Sequence, residues 1–186
     1  MKLTRRTRTA VALAAAATAV LTSVAPASAE TYSTDDGADA TASLTDMRKV
    51  RITHGTEKVS VRITYPNLKK RGQAIQTVYL DKNPDRRGPE FALTTPLFSG
   101  SDYALVRMRK WKISSDGPID CAYSVDLRWR RDVAVVEIDR DCLGSPDELR
   151  VALRMKDLHD GSHPITDWLG DRREFTGWLA SGSPAA

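Results

Sequence analysis

The chain has 186 residues, 41% of them hydrophobic, with 28 Lys and Arg against 24 Asp and Glu, three His and only two Cys. The formal net charge of +4 suggests a basic protein, but four of the basic residues and none of the acids fall before Glu30, so the remainder is balanced. The overall charge therefore gives no argument for nucleic-acid binding, although local basic patches can still form, and the length suits one domain with a single core.

The chain opens with Lys2, Arg5, Arg6 and Arg8, continues with an apolar run from Ala10 to Leu21, and reaches the small triplet Ala27-Ser28-Ala29. This is the pattern of a secretory signal peptide over 1–29. Its apolar core is about a dozen residues, short of the roughly 20 that span a bilayer. Thr7-Arg8-Thr9 after the arginine pair favours the general secretory route over the twin-arginine one. No cysteine precedes Cys121 to carry a lipid. The expected product is a secreted, extracellular, monomeric chain with no membrane segment after cleavage.

Residues 30–44, ETYSTDDGADATASL, are small, polar and acidic, and are expected to form a flexible arm laid on the surface. From 45 to 180 the apolar period is two, the signature of strands. In VRITHGTEKVSVRITY a loop over Gly55 to Lys58 pairs Ile52 with Val61 and Val50 with Ile63, so that the apolar faces coincide. The same register sets Arg51 opposite Arg62, an unfavourable pair. QAIQTVYLD, EFALTTPLF and YALVRMRKW continue the pattern, the last with Ala104, Val106 and Met108 on one side and Leu105, Arg107 and Arg109 on the other.

The segment CAYSVDLRWRRDVAVVEIDRDC begins and ends with the two cysteines. Folded about Arg131-Asp132, it pairs Trp129 with Ala134, Leu127 with Val136, Val125 with Ile138 and Cys121 with Cys142. Facing Cα atoms in an antiparallel pair are about 4.5–5.5 Å apart, inside the window a disulfide needs. A Cys121–Cys142 bridge is thus expected, as befits an oxidising compartment. Two features ask for a wider loop or a bulge: the turn lacks glycine, and the register aims Arg140 at the apolar side.

Ser145-Pro146-Asp147-Glu148 reads as a capped helical turn. LRVALRMK then places Leu149, Val151, Leu153 and Met155 inward and Arg150, Arg154 and Lys156 outward. PITDWLGDRREFTGWL fits neither period and is expected as an irregular segment or edge strand that covers the end of the fold with two tryptophans. Residues 181–186 form a tail. The whole describes an all-β, antiparallel β-sandwich of about eight strands with one short helical turn.

Taken together, TDMRKVRITHG, VYLDKNPDRRGPEFAL, the cysteine-bounded hairpin ending DCLGSP, and DWLGDRREFTGWL resemble a group of small secreted actinobacterial proteins built as signal peptide, arm and one β-sandwich. That group is more distantly similar to DOMON-like and carbohydrate-binding-module-like sandwiches. It carries no assigned activity, so the resemblance implies fold and location only.

Candidate chemistry is sparse. Asp81, Asn83 and Asp85 alternate as the first oxygen ligands of a Ca²⁺ loop do, but Pro84 and the absence of glycine after Asp85 break the pattern, and a solvated loop is the better expectation. Asp35, Asp36 and Asp39 would add oxygens only if the arm folds back. His159 and His163 have the helical metal spacing, yet Gly161 and Pro164 forbid the helix. No G-x-S-x-G elbow is present, and no thiol is free if the bridge forms. No catalytic residue is assigned, and the chain reads as a non-enzyme.

The remaining surface candidates are the aromatics Trp111, Trp168, Trp178 and Tyr103, which could stack on sugars, and an arginine stripe of Arg107, Arg109, Arg128, Arg150 and Arg154, which could meet an anionic polymer. Trp129 falls on the apolar side of its strand and is expected in the core. The leading expectation is a binding module for a cell-wall glycan, another extracellular polymer or a secreted protein. The alternative is an inhibitor or partner of a hydrolase that acts through the exposed loop Asp81 to Pro89.

Overall fold

A computed structural model describes residues 29–158 and 163–182. The residues before Ala29, expected as a signal peptide, His159 with Gly161, and the last four residues of the tail lie outside the described residues.

The strands are β1 (Glu30–Asp35), β2 (Lys49–His54), β3 (Lys58–Thr64), β4 (Ala74–Asp81), β5 (Phe91–Pro96), β6 (Ala104–Arg109), β7 (Lys112–Pro118), β8 (Tyr123–Arg128), β9 (Val133–Asp139), β10 (Glu148–Asp157), β11 (Ile165–Trp168) and β12 (Leu179–Ala180). They form two antiparallel sheets. The first runs β1-β2-β3-β9-β8. The second runs β11-β10-β4-β5-β6-β7, with β12 also paired to β10. The protein is an all-β antiparallel sandwich. Among the described residues it has twelve strands where about eight were expected, because strands such as β7, β11 and β12 carry little apolar alternation.

The core lies between the sheets. Val50, Ile52, Val59, Val61, Ile63, Val136 and Ile138 from the first meet Val78, Leu80, Leu93, Leu105, Leu149, Val151 and Leu153 from the second, all essentially inaccessible to water. Burying one such side chain contributes about 1.5–3 kcal/mol before the entropy of ordering it is counted. Strand β10 shows how periodicity builds this layer: its residues at every second position from Leu149 to Met155 are fully buried.

The β2–β3 hairpin has the expected register, Ile52 opposite Val61 and Val50 opposite Ile63, and Arg51 does face Arg62. The β8–β9 hairpin is displaced by two residues from the expected register. Val125 pairs with Val136 and Leu127 with Ala134. The turn is wider than Arg131-Asp132: Trp129–Arg131 form a 3-10 turn that ends on Asp132, whose φ of 54° reverses the chain without a glycine. A shift of two keeps every side chain on its own face, so the alternation could not have distinguished the two registers.

The disulfide Cys121–Cys142 forms, with Cα atoms 5.7 Å apart. It is not a ladder pair as expected. Pairing ends at Tyr123 and Ile138, and Cys142 sits in a second 3-10 turn, Arg140–Leu143. That turn also frees Arg140 from the core, and its Nη atoms donate to the carbonyls of Thr56 and Pro146 at 2.8 and 2.7 Å. The helical turn is thus at Arg140–Leu143 rather than at Ser145–Glu148. Ser145 instead takes a positive φ and donates its hydroxyl to Asp141.

Residues 30–44, expected as an arm, contribute the edge strand β1, which pairs with β2 along its whole length. Backbone hydrogen bonds suffice for this, since the segment has little to bury. The loop that follows returns to the other sheet. Met47 donates its backbone N–H to Asp167 Oδ2 at 2.7 Å, and Ser43 donates to Asp157 at 2.6 Å. At the far end of the same side, Ala180 N donates to Glu30 and His54 Nδ1 meets the Leu179 carbonyl, which ties β1 and β2 to β12.

Candidate functional site

The outer face of the second sheet is not simply solvated. Tyr79, Ala92, Val106, Met108 and Ala152 form a second buried cluster there, with Trp111, Trp168 and Phe175 packed over it. Register explains the arrangement: Tyr79 is flanked across the ladder by Ala152 on β10 and Ala92 on β5, and Ala92 by Val106 on β6. Two alanines beside a tyrosine leave a shallow floor on which larger rings can lie. The division of β6 between its two sides is the expected one: Leu105 points to the main core, whereas Val106 and Met108 support the outer face.

Trp111 reaches this floor through the two-residue turn Lys110-Trp111 between β6 and β7, where φ is 51° and 65°. Positive φ at both positions defines the hairpin turn whose twist matches its strands, though non-glycine residues adopt it at a cost. The Trp111 ring lies 5.0 Å from Tyr79, 5.2 Å from Phe175 and 6.0 Å from Trp168. Gly88 abuts it so closely that a Cβ there would come within 2.7 Å of the indole. Trp168, on β11, stacks parallel to Tyr79 at 5.8 Å.

Arginines alternate with these rings. Arg150 lies 4.7 Å from the ring centres of both Phe175 and Trp178, Arg173 lies 5.4 Å from Trp111, and Arg154 lies 5.7 Å from Tyr79 and 5.8 Å from Trp168. Arg150 is neutralised by Asp81. Arg154 makes no ion pair among the described residues; its Nε and the neighbouring Thr77 hydroxyl are buried without hydrogen-bond partners. A guanidinium stacked on two rings keeps its charge and its donors, which are chemically suited to an anionic group.

Beside the rings, Lys82, Arg86, Arg107 and Arg109 line a groove of about 310 Å³ together with Glu90 and Asp116. A second groove of about 380 Å³ continues along Arg86, Arg87, Arg109 and Lys110, with Gly88 and Pro89 in its wall. Glu90 is held by the Lys82 N–H at 3.0 Å; burial, and then the neighbouring Asp81, raise its pKa above the ordinary carboxylate value.

Of the four expected ligand aromatics, Trp111 and Trp168 come together and Trp178 joins them through Arg150. Tyr103 lies apart, edge-on to Tyr123 of the first sheet at 5.9 Å. The arginine stripe divides likewise. Arg150 and Arg154 share the outer face and Arg109 borders it, but Arg107 is directed over Phe91, and Arg128 belongs to the first sheet, where it pairs with Asp126 at 2.6 Å. Phe175, Arg173 and Gly88 were not anticipated, because their segments carry no period that would reveal them.

At the end of β4 and in the loop after it, the oxygens of Asp81 and Asn83 are engaged internally. Asp81 Oδ2 accepts from Arg150, Asp81 Oδ1 accepts from the Asn83 N–H at 3.1 Å, and Asn83 Oδ1 accepts from the Asp85 N–H at 3.0 Å. A different set of carboxylates converges at the β11 edge of the sheet: Asp39, Asp46 and Asp167 each place an oxygen within 4.8 Å of the others. Burial, then the surrounding carboxylates, push Asp167 up to about 7 and Asp36 up to about 6. His163 is exposed, at the start of the segment leading into β11.

No family model matches the chain, and no curated protein matches it.

Proposed function

We propose that the chain is a secreted, non-catalytic binding module, and that the outer face of its second sheet takes an anionic cell-envelope glycan or related extracellular polymer. The observation that carries this reading is Arg154, stacked on Tyr79 and Trp168 with no carboxylate partner among the described residues, on a face that continues into two basic grooves. Flat rings suit the apolar faces of sugars, and unpaired guanidinium groups suit carboxylate or phosphate substituents. The leader-like start of the chain, the disulfide and the resemblance to secreted sandwiches support the location.

Retention on purified anionic wall polymer tests the reading, with a neutral glycan as the comparison. The wild type is expected on the anionic polymer alone, and the double variant Trp168→Ala/Trp178→Ala is expected to lose retention. Equal retention of both proteins, or none of either, rejects it.

A second reading has its own observation. The exposed stretch Pro84 to Arg87 is braced by the Asn83 side chain and by Gly88 against Trp111, as a rigid inhibitory loop would be. Under that reading the protein is an extracellular inhibitor or partner of a hydrolase. Inhibition of a secreted protease that is lost on Arg86→Ala/Arg87→Ala would favour it over the polymer.

A further inference from the structure

The carboxylates beside β11 are arranged in a way that internal pairing does not explain. Asp39 and Asp46 come from the loop between β1 and β2, and Asp167 comes from β11, so the group joins the edges of the two sheets. Asp46 is fully buried and Asp167 is 2% exposed, whereas Asp39 is exposed and opens the cluster to solvent. Asp36 interacts with all three.

Among the described residues, the one ion pair this group makes is Asp46 with Arg48, at 3.1 Å. Asp46 Oδ1 accepts a long hydrogen bond from the Ala40 N–H at 3.3 Å, and Asp167 Oδ2 accepts from Met47. Asp167 Oδ1 is buried and accepts from nothing. A carboxylate this deep, with one oxygen idle and like charges around it, is relieved either by holding a proton or by taking a cation.

The donor set says which cation. All the ligands are carboxylate oxygens, which select hard cations over zinc or copper. Two oxygens bound to one Ca²⁺ at about 2.4 Å are at most about 4.8 Å apart, and the three oxygens here meet that limit pairwise. The half-open side toward Asp39 leaves room for the water ligands that complete a sixfold or higher shell. We propose that Asp39, Asp46 and Asp167, with Asp36 beside them, form a Ca²⁺ site that staples the β1–β2 loop to β11 and closes one side of the sandwich. This site is separate from the ring-bearing face and from the Asp81–Asp85 loop, and it does not depend on the polymer reading.

Thermal unfolding of the mature chain, first freed of metal with EDTA, provides the test. Millimolar CaCl₂ is expected to raise Tm by about 5 °C, reversed by EDTA, and calorimetric titration is expected to show one Ca²⁺ per chain. Asp39→Asn, at an exposed position that should fold without penalty, and Asp167→Asn are each expected to abolish both effects, while Asp85→Asn leaves them intact. The proposal is overturned if wild type shows neither heat nor Tm shift with Ca²⁺, if the shift survives Asp39→Asn and Asp167→Asn, or if only Asp85→Asn removes it. An equal shift with Mg²⁺ overturns the choice of cation.

Discussion

Arg150 donates to Asp81 Oδ2 through both Nε, at 2.9 Å, and Nη2, at 2.7 Å, while its guanidinium lies 4.7 Å from the ring centres of both Phe175 and Trp178. The two residues sit directly opposite each other on β10 and β4. One cross-strand pair thus holds the C-terminal aromatics against the sheet and neutralises a carboxylate that is itself inaccessible to water.

Removing the cation should therefore cost more than a surface charge would. Arg150→Ala leaves Asp81 buried beside Glu90 and is expected to destabilise by about 3 kcal/mol in chemical denaturation. A loss below about 0.5 kcal/mol, the range of an exposed pair, would show that this pair and its ring contacts are incidental to stability.

Arg154 is predicted to have the opposite character. With no carboxylate to strand, Arg154→Gln should change stability little, by less than about 1 kcal/mol, yet reduce retention on anionic polymer about tenfold. Raising the salt concentration should weaken wild-type retention far more than that of the variant. Loss of stability without loss of retention would assign Arg154 to packing.

Gly88 holds the Trp111 turn in place. Gly88→Ala meets both a φ of +82° and the indole edge, so the loop or the ring must move. An unfolding cost of about 1–2 kcal/mol is expected, together with a changed near-ultraviolet circular dichroism spectrum. An unaltered spectrum would mean that Trp111 is free to shift at no cost.

The titration of Asp167 fixes a pH dependence. Its folded pKa, about 7, is above its ordinary value of 3.8, so the protonated form is the one the fold favours. The stability this group contributes is complete below about pH 4, declines as pH rises, and is gone above about pH 7. In EDTA, Tm should fall from pH 5 to pH 8, and Asp167→Asn should flatten that fall. Because Ca²⁺ binds the ionised form, its stabilising effect should grow over the same interval.

Reduction of Cys121–Cys142 opens a cross-link that spans 21 positions and anchors the start of β8 to the buried turn after β9. The Cys121→Ala/Cys142→Ala variant should lose about 3 kcal/mol with little change in circular dichroism, since β8 is an edge strand. Wild-type protein that alkylates fully without reductant would refute the bridge.

The sequence by itself determined the strands whose side chains alternate and the hairpins whose turns are short. Apolar residues at every second position in 49–64 and 149–155 admit only one buried face, and a four-residue loop leaves Val50 and Ile63 one register. Two cysteines in the whole chain left one bridge to form. Only the tertiary structure decided what covers the outer face of the second sheet, because periodicity reports one strand at a time. That Ala152, Tyr79, Ala92 and Val106 form a continuous row depends on the order β10-β4-β5-β6, and Trp111, Trp168 and Phe175 reach it from three separate segments. The same holds for Asp39, Asp46 and Asp167, more than a hundred residues apart at the extremes. Their convergence follows from backbone pairing of a polar edge strand, which hydrogen bonds equally well whatever its side chains, and so leaves no mark in the pattern of apolar residues.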